Sequence, residues 1–172
     1  MRDYLNAMTG FDYQRTVTDA LAGHLAALNA CVECCDRHAM PGRIALFWEG
    51  RDASSATYTF TQLQEQAARF ANFLLAQGVK RGDKVAGLLP RNVELLIVAL
   101  AAWRIGAIYQ PLFTAFGPKV IEHRLNSSGA TLVVTDAANR AKLNDVNDCP
   151  TIVTVAGVKG KGMVRRDISF WA

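Results

Sequence analysis

The side chains best placed to do chemistry are two arginines and a threonine, each standing where a loop would follow an apolar strand. Arg91 sits in Pro90-Arg91-Asn92, Thr114 in the run from Leu112 to Gly117, and Arg140 a few residues beyond Thr135-Asp136. An arginine at such a point can meet an anionic group such as a phosphate, and a threonine hydroxyl can donate a hydrogen bond near the start of the next helix. The same residues have plain structural uses. Arg91 and Arg140 can be solvated surface charges, Asn92 and Asp136 helix caps, and Phe113 and Phe116 core. For each residue taken singly, the plain use is the commoner one.

Self-contained catalytic sets are not legible. His24 and His38 lie on or beside an early helix and His123 on a later one, and no G-x-S-x-G marks a nucleophile elbow, which argues against a Ser-His-Asp hydrolase. In the Gly-rich stretch starting at Gly157, Met163 and Val164 stand where a Walker loop requires Lys and Ser or Thr. Arg165 occupies the last glycine position of a G-x-G-x-x-G fingerprint. Cys31, Cys34, Cys35 and Cys149 form one C-x-x-C without a second pair, too few ligands for tetrahedral zinc. They read as reduced thiols, in keeping with a cytoplasmic address.

Residues 74–135 carry the elements that must position the three loops. The turn signals Gly78, Gly82 and Asp83 lead into an apolar strand over 84–89, and Pro90 to Asn92 turns it into an apolar helix over 93–104. Gly106 ends that helix before a strand over 107–110, a loop over 111–117, a helix over 118–126, Gly129, and a strand over 131–134. Strands separated by helical crossovers make a mainly parallel, doubly wound α/β sheet with helices on both faces. Ligands in such sheets bind beyond the carboxyl ends of the strands. That rule selects the three loops with which we began.

Around this spine, residues 1–16 read as an extended arm and 17–158 as one α/β domain. Leu21, Leu25, Leu28 and Val32 predict an amphipathic helix over 17–39, followed by a β-hairpin with strands at 44–49 and 57–60. Thr61 and Gln64 predict a capping box, opening a helix whose buried face is Leu63, Ala67, Phe70, Ala71 and Leu74. A short helix from about Thr135 to Leu143 and a strand over 149–155 follow. Residues 159–172 read as a flexible basic tail that ends on an exposed Phe170-Trp171 pair, as though the chain stopped in mid-architecture. The length of 172 residues suits one domain, and 51% hydrophobic with 20% charged residues suits a globular one. The net charge is +4. Its one cluster, Lys159 to Arg166, is Gly-rich without aromatics and reads as a solvated loop or anion-attracting edge rather than a nucleic-acid surface. No apolar run approaches the roughly 20 residues of a membrane span.

The order of these segments resembles the N-terminal part of the AMP-forming acyl-CoA synthetases, the adenylate-forming ligases that include acetyl-CoA synthetase. The residues that carry the resemblance include Asp36-Arg37-His38-Ala39, Thr57-Tyr58-Thr59-Phe60, Gly82-Asp83-Lys84-Val85-Ala86, Leu89-Pro90-Arg91-Asn92 with Glu94, Arg104-Ile105-Gly106-Ala107, Phe116-Gly117-Pro118 and Ser127-Ser128-Gly129-Ala130. The match runs over 29–135. It implies part of the N-terminal domain of the ligase fold and a two-step reaction, in which a carboxylate attacks ATP, with Mg²⁺, to give an acyl-adenylate and pyrophosphate. Coenzyme A then takes the acyl group and AMP leaves. The family's phosphate loop and catalytic lysine come later than the matched region, so this chain alone is expected to be inactive and no cofactor is assigned to it. The resemblance also implies that Phe113, Thr114, Ala115 and Arg140 approach the nucleotide end of coenzyme A. Thr114 and Ala115 replace family glycines, Arg140 is displaced by about one residue, and Lys142 lies nearby. A rival reading is a stand-alone interaction or coenzyme A-binding module on the same scaffold. An almost wholly apolar helix over 93–103 and the terminal aromatics lead us to expect self-association through exposed apolar surface.

Overall fold

The computed structural model describes residues 2–23, 25–155 and 167–170. His24, the Gly-rich and basic stretch 157–166 and Trp171 lie outside the described residues.

Strand β3, Lys84–Leu88, alternates its side chains: Val85 joins one core, and Ala86 and Leu88 join another. Strand β5, Ala130–Asp136, does the same, with Leu132 and Val134 on the first side and Val133 on the second. A two-residue period buried on both sides demands a cover on each face. Helices α4 (Phe60–Ala76) and α5 (Val93–Arg104) provide the first; α6 (Pro118–Ser128) and a 3-10 turn, Arg140–Leu143, provide the second. With β4 (Ile108–Pro111), β6 (Thr151–Val155) and β7 (Ile168–Ser169), the strands lie in the order β4-β3-β5-β6-β7, every neighbouring pair parallel. The chain leaves β3 to one side for β4 and comes back to the other for β5. The crevice beyond β3 and β5 is therefore the topological switch point. A close approach fixes Gly87 on β3, since a Cβ there would lie 2.5 Å from the Tyr109 hydroxyl.

The apolar helix α5 finds its neighbours within the chain. Val93, Ile97 and the run Val98 to Ala102 are buried between α4 and the sheet. Asn92 caps it by accepting from the Leu95 N–H at 3.1 Å. The five residues expected on the inner face of α4 are the ones buried there. Its capping box lies two residues earlier than expected, formed by Thr59 and Gln62. Both Thr59 and Thr61 stand three residues before a Gln, and only the earlier start brings Phe60 onto the helix, where it packs against the core. Strands β1 (Ile44–Glu49) and β2 (Ser55–Thr59) form the expected hairpin, a separate antiparallel pair.

Four local expectations are corrected. The segment 1–16 is helical for most of its length, with α1 at Arg2–Thr9 and α2 starting at Tyr13. The helix expected over 17–39 breaks into the end of α2, a 3-10 turn at Leu25–Ala27, α3 (Ala30–Cys34) and a 3-10 turn at Asp36–His38. The break has two causes: Glu33 accepts from the Ala22 and Gly23 N–H groups at 3.0 and 2.8 Å, and Asn29 caps α3 afresh. The face that packs inward is Cys31 and Cys35, while Leu28 and Val32 stay exposed; burial pushes the two thiols up to about 12 and about 11. After β5, Asp136 folds the chain into a tight turn by accepting from the Asn139 N–H, so a 3-10 turn replaces the expected helix. Phe170 is buried, stacked on Phe70 of α4 at 4.5 Å, because β7 extends the sheet across that helix.

Core and surface leucines one residue apart make a direct test. Leu74→Ala should lower the unfolding free energy by about 2–5 kcal/mol, because it opens a cavity between α4 and the sheet. Leu75→Ala, on the outer side of the same turn, should change it by no more than about 0.5 kcal/mol in urea titrations.

Candidate functional site

The loop after β3 holds Arg91 at the surface, and its backbone is tied down: the Trp48 indole of β1 donates to the Arg91 carbonyl at 2.8 Å. Asn92 takes the plain role of cap. Glu94, in the first turn of α5, is partly buried, and its carboxyl is pushed above the ordinary value, first by desolvation and then by the negative charge of Asp136.

The loop after β4 is a tight turn closed by a hydrogen bond from the Phe116 N–H to the Phe113 carbonyl at 2.9 Å. Phe113 and Phe116 meet edge to face with centroids 5.7 Å apart, and the Arg124 guanidinium lies over Phe116 at 4.7 Å. Phe113 is 64% exposed, so its plain reading as core does not hold. Neither Thr114 nor Ala115 has a positive φ, so both fit this turn where the family carries glycines.

The loop after β5 gives different surroundings to Arg140, the candidate contact, and to Lys142, which lies two residues on. Asp136 accepts from both the backbone and the side-chain N–H of Asn139 at 2.9 and 2.8 Å. The Lys142 ammonium donates to the Asn139 side-chain oxygen at 3.0 Å and also to the Thr114 carbonyl. Lys142 therefore joins this loop to the Phe113–Phe116 turn. Arg140 is buried and points elsewhere. Its Nε and Nη2 donate to the two Asp167 oxygens at 2.6 and 2.8 Å, and its Nη1 donates to Asn144 at 2.9 Å. Asp167 also accepts from the Thr154 hydroxyl at 2.8 Å. Neither the functional nor the surface reading of Arg140 anticipated this pair. Asp167 lies 27 residues away in sequence, and no local signal links the two.

The strand ends thus present an exposed aromatic ring and a partly buried ammonium beside a tight turn, an arrangement suited to holding an anionic ligand. Among the described residues no group of three or more His, Cys, Asp or Glu side chains could hold a metal ion. No helix there is long and apolar enough to cross a membrane.

Two substitutions read these electrostatics. Arg140→Ala breaks the buried Arg140–Asp167 pair from the cation side and should cost about 3–5 kcal/mol in chemical denaturation. For Glu94, the folded state keeps its proton to higher pH than the unfolded chain, so stability falls as pH rises through the interval above 4.5, the ordinary value. Glu94→Gln should therefore stabilise the protein at neutral pH, and the gain should vanish below that value; unfolding curves at several pH values check the sign.

Comparison with known proteins gives this architecture its context. A model of the family described as AMP-binding enzyme matches residues 35–169. The acetyl-coenzyme A synthetase of Sodalis glossinidius (strain morsitans) is 44% identical over 111 residues, 63% of this chain and 17% of that protein. That of Gemmatimonas aurantiaca is 40% identical over 141 residues, 74% of this chain and 22% of its own. The chain spans about a fifth of the length of these curated relatives. The crystal structure of a Brucella canis acyl-CoA synthetase superposes with a TM-score of 0.92 at 47% identity, covering 98% of this chain and 31% of that one. With a family model matched over well more than half its length, and with the parallel sheet that such a solved relative shares, this chain belongs to the AMP-binding enzyme family.

Proposed function

We propose that these 172 residues supply the N-terminal part of an AMP-forming acyl-CoA synthetase, which joins a carboxylate to coenzyme A at the expense of ATP, with AMP and pyrophosphate as products. The observation that carries this reading is the 47% identity to the Brucella canis acyl-CoA synthetase over 98% of the chain. ATP, Mg²⁺ and coenzyme A are what the family resemblance implies for the whole reaction. The family's phosphate loop and catalytic lysine come, by the resemblance, after the segments found here, and on this reading the chain by itself carries no turnover. Incubated with acetate, ATP, Mg²⁺ and coenzyme A, it should release no AMP above a protein-free blank, and measurable AMP would overturn that part of the reading.

Within the reading, the turn bearing Phe113, Thr114 and Ala115 meets the nucleotide end of coenzyme A. Arg140 contributes by holding the segment after β5 against β6 and β7. The exposed Phe113 ring and the Lys142 ammonium fit an adenine face and a phosphate. Amide spectra of the labelled chain titrated to millimolar coenzyme A should shift at 113–116 and 139–142. Pantetheine, which lacks the nucleotide, should leave them unmoved. Shifts that avoid both segments would sink the site assignment.

A second reading, self-association, rests on a specific surface. Tyr4 and Met8 of α1, Phe11 in the link to α2, Tyr13 of α2 and Phe47 of β1 are each at least 60% exposed. Patches of this kind are buried in most soluble assemblies. Light scattering should give a mass that rises with concentration, and a monomer throughout would remove this reading. The free thiols of Cys31, Cys34, Cys35 and Cys149 accord with a reducing, cytoplasmic location.

A further inference from the structure

We propose that Lys142 is the positioning residue for the Phe113–Phe116 turn, setting the conformation in which that turn receives the nucleotide end of coenzyme A. The role presupposes the coenzyme A reading of the turn. Phe116 is held by the Phe113 ring, the Arg124 guanidinium and the second core, whereas the tip of the turn at Thr114 and Ala115 has little of its own to hold it. The turn's closing contact is one backbone hydrogen bond, Phe113 and Ala115 are exposed, and no residue in it occupies a left-handed conformation that would restrict its choices. The Thr114 carbonyl accepts from Lys142, 28 residues further along the chain.

Lys142 can serve as an anchor because it is itself held. Its ammonium donates to the Asn139 side-chain oxygen at 3.0 Å. Asn139 is buried and donates from both its nitrogens to Asp136, the last residue of β5 and the register partner of Val155 on β6. A polar chain thus runs from the sheet through Asp136, Asn139 and Lys142 to the backbone of the turn. Two of the three ammonium N–H donors have these acceptors, and the third is left for a phosphate oxygen. Arg140, the cation that the strand-end rule and the family resemblance point to, donates to Asp167 and Asn144 and takes no part in this chain. The two basic residues divide the work: Arg140 locks the sheet edge, and Lys142 sets the turn.

The test uses amide hydrogen exchange in the whole 172-residue chain, reading the Phe116 N–H that closes the turn against the Val133 N–H in β5 as internal reference. Lys142→Met keeps the aliphatic stem and removes the donors, so the Phe116 rate relative to Val133 should rise by about tenfold or more, the effect of losing a charge-assisted hydrogen bond. Lys142→Arg, which restores donors and charge, should return the ratio to within about threefold of the parent. Asn139→Ala frees the lysine without removing it and should fall between. Taking the ratio separates loosening of the turn from general destabilisation. Coenzyme A titrated into the same samples should bind more weakly in Lys142→Met than in Lys142→Arg. An unchanged exchange ratio in Lys142→Met overturns the proposal, even if coenzyme A binding weakens, because the lysine would then be a direct contact only. If the parent chain takes up no coenzyme A while the exchange pattern is as expected, the site assignment fails and the anchoring role of Lys142 stands.

Discussion

Burial of β3 and β5 on both faces is the constraint from which the rest follows. A strand with water on one side needs one layer of cover, whereas these need two, and the chain must therefore cross the sheet on alternate faces. α5 lies against the first core and α6 against the second, and the reversal between them opens the crevice at β3 and β5. Each strand delivers its loop to the same edge because all run parallel. The convergence of Arg91, Thr114 and Lys142 at one end of the sheet is thus a geometric result of covering two apolar faces. Chemistry at that end draws on residues far apart in sequence.

The edge of the sheet is closed by different physics. Arg140 and Asp167 are ionised groups withdrawn from water, and such a pair is favourable only when further hydrogen bonds satisfy both partners. Asn144 supplies one for the arginine and Thr154 one for the aspartate. Thr154 lies on β6 and Asp167 just before β7, so the same contacts that neutralise the pair also pin two strands to the segment after β5. Phe170 adds an apolar counterpart by stacking on Phe70 across the other face. The last strand is only two residues long, yet it is held from both faces of the sheet.

What could be read from the sequence divides along the range of the forces involved. The inner face of α4 follows a 3.6-residue period, α5 is apolar almost throughout, and strands β1 to β6 lie near Gly and Pro punctuation, so these emerged at nearly their observed positions, whereas β7 fell in the stretch read as a flexible tail. The capping box slipped by two residues because overlapping patterns at Thr59 and Thr61 are locally equal, and only the burial of Phe60 chooses between them. The early helix failed for a related reason: Leu21, Leu25, Leu28 and Val32 satisfy a period, but the thiols of Cys31 and Cys35 reach the core instead. The three loops do follow the carboxyl ends of parallel strands, as the strand-end rule expects, but the different hydrogen-bond partners of Arg140 and Lys142 were not legible. That difference depends on Asp167 and Thr114, whose distance along the chain hides them from any local pattern.

The close fit of Gly87 beneath Tyr109 has a consequence for how such chains diverge. Among the described residues the buried Tyr109 hydroxyl has no hydrogen-bond partner, and burial raises its pKa to about 12, so the ring is held there by shape more than by its polar atom. Any side chain at position 87 would strike that ring, while a smaller residue at 109 would leave a void over the glycine. The two positions are coupled by volume: a side chain at 87 needs a smaller or displaced ring at 109, and only the tyrosine hydroxyl is dispensable to that fit.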